Sequence, residues 1–158
     1  ETEIIQNGEI VSFDTDMVGP YGYCADISRT FVCGNVFNHY QKELYSMSLE
    51  QINHNSGLIK ADMSFREFRE KSWKLPNEYY GNRYSVMVHG IGLCDEWPSI
   101  RYPTDGGDNS GRFQKNMTIT VESYIGKVGG KEGVKLEQQY LVGENRLELM
   151  SHHPLEDI

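Results

Sequence analysis

Residues 9–16 (EIVSFDTD) alternate in a way that places Ile10, Ser12, Asp14 and Asp16 on one face of a predicted strand and Val11, Phe13 and Thr15 on the other. The Gly and Pro residues of VGPYG at 18–22 predict a turn. Residues 23–33, rich in aromatic and β-branched side chains, then read as a returning strand. Such a hairpin brings Asp26 back across from Asp14 and Asp16. From 38 to 60 the period lengthens, with Tyr40, Leu44, Met47, Ile52 and Leu58 spaced near helical intervals. Residues 62–64 predict a break and an N-cap before a second helix over 64–75. PNEYYGN predicts a loop, 84–89 a short apolar strand leading into the glycines of HGIG, and the Pro-, Gly- and Asp-rich stretch 97–116 an irregular loop. Strands at 117–125 and 133–142 follow, joined by GKVGGKEG. A strand pair, two helices and a second strand pair predict an α+β fold with an antiparallel sheet.

The same alternation sorts the later acids. Thr118, Thr120 and Glu122 share one strand face against Met117, Ile119 and Val121, while Lys135 and Glu137 oppose Val134 and Leu136. Each glutamate can therefore leave the sheet toward a site while its neighbours enter the core. His89 ends an apolar strand just before Gly90 and Gly92, where backbone can approach without an intervening side chain. Asp14, Asp16, Asp26, His89, Glu122 and Glu137 thus form an ordered set of oxygen donors with one imidazole, the donor set that a pair of divalent metal ions requires. Such a pair polarises a carboxylate or carbonyl, or activates water.

Composition narrows the partners. With 158 residues the chain predicts a single domain over 1–158, and no apolar run approaches a membrane span. A formal net charge of -8 without a basic stripe argues against nucleic acid. Three cysteines (Cys24, Cys33, Cys94) lack CxxC spacing and suggest neither a disulfide framework nor a thiolate site, so a reducing cytoplasm fits. Cys94, with no base positioned beside it, reads as a buried thiol. His39 and His54 read as surface groups on the first helix, and Tyr23 and Arg29 as orienting neighbours of Asp26. The chain begins without Met and close to its first motif, which suggests an excerpt or a processed product.

In FDTD, ADISRTF, HGIG, VES and KLE, taken in that order, the sequence resembles the pita-bread metallopeptidase superfamily, which includes methionine aminopeptidases, prolidases and creatinase. The resemblance covers roughly residues 8–143 and implies a pita-bread catalytic domain. It also implies that the N-terminal domain and the first part of that fold are missing, leaving a partial, N-terminally truncated metal-binding domain. The departures from the peptidase pattern matter as much. HGIGLCDEWP carries Asp95 and Glu96 where the peptidases have a second His followed by Glu. Their Glu-Pro-Gly becomes Glu122-Ser123-Tyr124, and the usual Arg before the last glutamate pair is Lys135.

FDTDMVGPYGYCADISRTF, HGIGLCDEWPSI, VESYIG and GVKLEQQYLV instead look like the dimethylsulfoniopropionate lyase branch of that superfamily. That resemblance implies two divalent ions held by Asp14, Asp16, Asp26, His89, Glu122 and Glu137, with iron as the implied metal and zinc or manganese also acceptable to such donors. It implies Asp95 as catalytic acid/base and Tyr84 as a residue that contacts substrate, and a homodimer in the full-length form. The substrate that the resemblance implies is a small zwitterion with a carboxylate and a sulfonium. Tyr84 and Trp97 can hold the sulfonium through cation–π contacts worth about 0.5–2 kcal/mol, although Trp97 can equally be a loop residue covering the core. An Xaa-Pro-type metallopeptidase and a non-catalytic metal-binding fragment are the alternatives.

Overall fold

A computed structural model of the chain describes residues 4–34, 36–107 and 110–155. Strand β1 (Ile10–Asp14) is followed by the short β2 (Met17–Val18), a 3-10 turn at Pro20–Gly22, β3 (Cys24–Ala25) and β4 (Ser28–Val32). The expected hairpin forms as two ladders, β1 antiparallel to β4 and β2 to β3. The break between them falls at Asp16, whose φ of 31° is one that Asp tolerates better than most residues. Asp16 therefore leaves the alternation that would have put it on the face of Ser12 and Asp14.

Helix α1 (His39–Leu58) opens with a capping box: the Asn38 side chain accepts from the Gln41 backbone N–H, and the Gln41 side chain from that of Asn38, both at 2.9 Å. Helix α2 (Phe65–Lys71) is capped by Ser64 as expected, but ends earlier than 75. The Trp73 N–H is given instead to Asn55 Oδ1 on α1, at 2.9 Å. A single helical turn, α3 (Asn77–Tyr80), replaces the loop expected there.

The main sheet has five antiparallel strands in the order β6-β5-β7-β8-β9, with β5 (Val86–Gly90), β6 (Ser99–Arg101), β7 (Thr118–Gly126), β8 (Gly133–Val142) and β9 (Leu147–Leu149). The stretch expected to be an irregular loop thus contains β6 and a 3-10 turn at Pro103–Asp105, while residues 108 and 109 lie outside the described set. β9 is only three residues long, and its Leu147-Glu148-Leu149 alternation is too brief to announce a strand.

Helix α1 covers one face of the sheet. Leu44, Tyr45 and Ile52 are fully buried together with Val121, Ile125, Val134 and Leu136 in the same core cluster. The buried Ser123 donates to Gln51 Oε1 (2.6 Å), tying β7 to the helix. The β1–β4 ribbon covers the opposite face, where Thr30 Oγ1 bonds the backbone carbonyl and N–H of Lys135 at 2.8 and 3.0 Å. The acids of interest lie between ribbon and sheet.

Candidate metal centre

β7 and β8 pair so that Glu122 stands directly opposite Glu137. Like charges facing each other across a ladder destabilise it unless a cation intervenes. His89 comes from the neighbouring strand β5, opposite Thr120, and Asp26 from the link between β3 and β4. These four side chains belong to residues no more than 3% exposed. His89 Nε2 lies 3.2 Å from Glu137 Oε1, 3.7 Å from Glu122 Oε1 and 3.8 Å from Asp26 Oδ2. Position 90 requires glycine, because a Cβ there would collide with the Trp97 carbonyl, and the Gly90 N–H donates to Pro98 O at 2.8 Å.

The loop after Gly90 completes a second grouping. The Cys24 N–H donates to Gly92 O at 2.7 Å, fastening that loop to β3. Asp95 is thereby carried to Asp16 and Asp26, with one carboxylate oxygen of each within 4.8 Å of the others. Its Oδ1 stands 4.0 Å from His89 Nδ1, and its side chain is 31% exposed. The Glu96 N–H donates to Asp95 Oδ1 at 2.9 Å.

On the other side of the glutamate pair lies a lysine. Lys135 Nζ is 3.2 Å from Glu122 Oε2 and 3.7 Å from Glu137 Oε2, donates to Asp14 Oδ2, and stands 4.9 Å from the centre of the Tyr84 ring. Ser28, opposite Asp14 in the β1–β4 ladder, places its hydroxyl 2.5 Å from Asp14 Oδ1 and 2.8 Å from Glu137 Oε2.

Crowding so many charges perturbs their titration. Burial, then the Glu137, Asp14 and Asp16 carboxylates, push Asp26 up to about 7. Burial and Glu137 raise Glu122 to about 8. Burial works against a charged His89, but Glu137, Glu122 and the Gly90 carbonyl lift it to about 9. Lys135 is likewise opposed by burial and held above the ordinary lysine range by Glu122, Glu137 and Asp14. Asp14 goes the other way: burial would raise it, but hydrogen bonds from Lys135 and Ser28 prevail. Burial and then Glu122 and Glu96 push Tyr84 up to about 12.

The family profile of Metallopeptidase family M24 matches residues 1–144. The chain belongs to metallopeptidase family M24. Within and around that family, the dimethylsulfoniopropionate lyase of Roseovarius nubinhibens is 37% identical over 157 residues, covering 97% of this chain and 35% of the relative. The corresponding lyase of Roseobacter denitrificans is 34% identical with the same coverage. Among solved structures, the Xaa-Pro dipeptidase from Bacillus anthracis superposes with a TM-score of 0.77 at 29% identity, over 98% of this chain and 42% of that one. The prolidase from Pyrococcus furiosus gives 0.73 at 28% identity, over 91% and 41%. The chain therefore has the pita-bread type of fold and spans about a third of the length of the curated relatives it matches.

M24 enzymes use divalent metals, and the donors here suit one. Glu122 Oε1 and Glu137 Oε1 are buried, and among the described residues no donor other than His89 Nε2, which both face, comes near them. Orphaned carboxylate oxygens in a dry interior are costly, and a cation seated between them and the imidazole removes that cost. Asp26, His89, Glu122 and Glu137 would hold such an ion. Asp16 stands beside Asp26, whereas Asp14 is engaged by Lys135 and Ser28.

Other expectations for the M24 chain are adjusted by the structure. Tyr84 precedes β5 and is 39% exposed, and its hydroxyl donates to Glu96 Oε1 at 3.3 Å. Trp97 is 66% exposed and does not cover the core. Cys94 is exposed, not buried as expected, in a loop whose neighbours Leu93 and Trp97 are also exposed. Arg29 reaches past Asp26 to the carbonyl of Glu137 (2.6 Å) and to the tail carbonyls of His153 and Pro154. Tyr23 is exposed. Sequence reasoning put Lys135 on the face of Glu137 but gave it no part in the site, and it missed Ser28, which sits two residues from Asp26.

Proposed function

We propose that this chain carries the active site of a metal-dependent lyase that cleaves dimethylsulfoniopropionate to dimethyl sulfide and acrylate by β-elimination. The observation that supports it is the position of Asp95, a carboxylate beside Asp16, Asp26 and His89 at the point where the resembled peptidases carry a second histidine. The named activity of the two relatives at 37% and 34% identity points the same way. In this reading the ligands are Asp14, Asp16, Asp26, His89, Glu122 and Glu137, the ions are two and are iron, and the full-length protein is a cytoplasmic homodimer.

An ion held by Asp26, His89, Glu122 and Glu137 would supply Lewis acidity toward the substrate carboxylate, which would make the adjacent C–H more acidic. Asp95 removes a proton from that carbon. The released electron pair forms the carbon–carbon double bond as the carbon–sulfur bond breaks, and sulfur leaves with both electrons as neutral sulfide. Tyr84 and Trp97, both partly open to solvent, hold the sulfonium through their ring faces. The likeness to the Xaa-Pro dipeptidase and the prolidase favours a second reading, peptide hydrolysis at the same metal centre.

The test is headspace gas chromatography of the metal-reconstituted chain given dimethylsulfoniopropionate, with an Xaa-Pro dipeptide assayed in parallel. The lyase reading expects dimethyl sulfide from the parent, a loss of at least about 100-fold in Asp95→Ala, and no dipeptide cleavage. Proline release without sulfide would sink it in favour of the peptidase.

A further inference from the structure

The Glu122–Glu137 pair presents two sets of oxygens in different states. Both Oε1 atoms face His89 Nε2, at 3.7 and 3.2 Å, and among the described residues no other donor reaches them. Both Oε2 atoms face the Lys135 ammonium, at 3.2 and 3.7 Å. That ammonium also holds Asp14 Oδ2 and rests 4.9 Å from the Tyr84 ring, with only 15% of the side chain exposed. The Ser28 hydroxyl lies between Asp14 Oδ1 and Glu137 Oε2, and its one proton can serve only one of them at a time. One half of the centre is thus faced by an imidazole that can give up its proton and become a ligand, while the other half holds an ammonium that can only move away.

We propose that Lys135 is an internal competitor for the second divalent ion. The first ion binds on the His89 side, between the two Oε1 atoms, releasing protons but displacing no side chain. The second binds toward Asp14 only as the Lys135 ammonium withdraws from Asp14, Glu122 and Glu137. Metal loading is therefore ordered, and the second site is the weaker one. This rests on the metal-binding reading of the centre and not on which reaction it performs.

Two measurements on the metal-loaded chain test it without using turnover. Trace acetylation with acetic anhydride, read by peptide mass spectrometry, reports the reactivity of Lys135 as Mn2+ is added. It is expected to stay constant up to one equivalent and to rise severalfold as a second ion binds. Electron paramagnetic resonance of free Mn2+ gives the two dissociation constants for the parent and for Lys135→Met, which keeps the length and removes the charge. The gap between the constants is expected to narrow by about tenfold in the variant, or about 1.4 kcal/mol. A parent that takes up one ion where the variant takes two supports the same conclusion. Labelling that is flat or falls on second-site filling overturns the proposal. So does a gap that is unchanged or wider in Lys135→Met, or a single ion in both proteins. Failure of either protein to bind any ion would remove the metal reading itself, and this inference with it, whereas absence of sulfide with normal metal uptake would leave it intact.

Discussion

Binding of a divalent ion to this chain is expected to expel protons, and the number can be worked from the raised groups. As ligands, Asp26 and Glu122 must be carboxylates and His89 a neutral imidazole. In the metal-free fold His89 titrates at about 9, Glu122 at about 8 and Asp26 at about 7. At pH 7 the imidazole holds its proton, Glu122 holds one most of the time and Asp26 about half of the time. On the order of two protons therefore leave per ion bound, and apparent affinity strengthens about a hundredfold between pH 6.5 and 7.5. The metal-free chain has the opposite slope. Asp26 and Glu122 have folded values above their unfolded ones, so between about pH 4 and 8 the folded state binds more protons and stability falls as pH rises. The contribution of His89 is fully present below about 6.5 and is lost as pH climbs through about 9. Isothermal titration in two buffers of different ionisation enthalpy counts the protons directly. A count near zero, or an affinity that does not change between pH 6.5 and 7.5, would refute the assignment of these three groups as ligands.

Ser28→Ala removes the hydroxyl between Asp14 and Glu137 and is expected to weaken metal affinity by about 10–100-fold, measured by chelator competition, while the fold is retained. Ile52→Ala empties a fully buried position of the α1 face and is expected to cost about 2–5 kcal/mol in urea unfolding, with metal stoichiometry unchanged in the folded fraction. Gly90→Ala places a methyl group against the Trp97 carbonyl, and the expected result is a cost of about 1–3 kcal/mol with reduced metal uptake, since His89 is the adjacent residue. Asn38→Ala breaks the capping box of α1, which is expected to cost about 1 kcal/mol and to leave metal affinity untouched.

The parts of the site legible in the sequence were those governed by strand periodicity. Glu122 and Glu137 could be assigned to one face because alternation is strict along β7 and β8, and their pairing opposite each other follows from the turn that joins them. Asp26 was legible from the hairpin that returns it toward Asp14, and His89 from its place at the end of an apolar strand. Asp16 was not, because periodicity says nothing of a positive φ that rotates one residue out of register. The company of Asp95 was also hidden, since it depends on a loop fastened by the Cys24–Gly92 backbone bond, which any side chains could make. Lys135 was read as a departure from a family pattern, but its burial among three carboxylates is a matter of layer packing between ribbon and sheet. The second helix was read too long because Asn55, far away in sequence, takes the N–H of Trp73.

The central claim is that the buried acids and His89 exist to hold a divalent ion. Anomalous diffraction from crystals of the chain grown with Mn2+ or Zn2+ tests it most directly. The account predicts a peak at about 2.0–2.2 Å from His89 Nε2 and from carboxylate oxygens of Glu122 and Glu137. Crystals saturated with metal whose only anomalous peaks lie elsewhere, with a water or a proton-sharing carboxylate pair between Glu122 and Glu137, would contradict it.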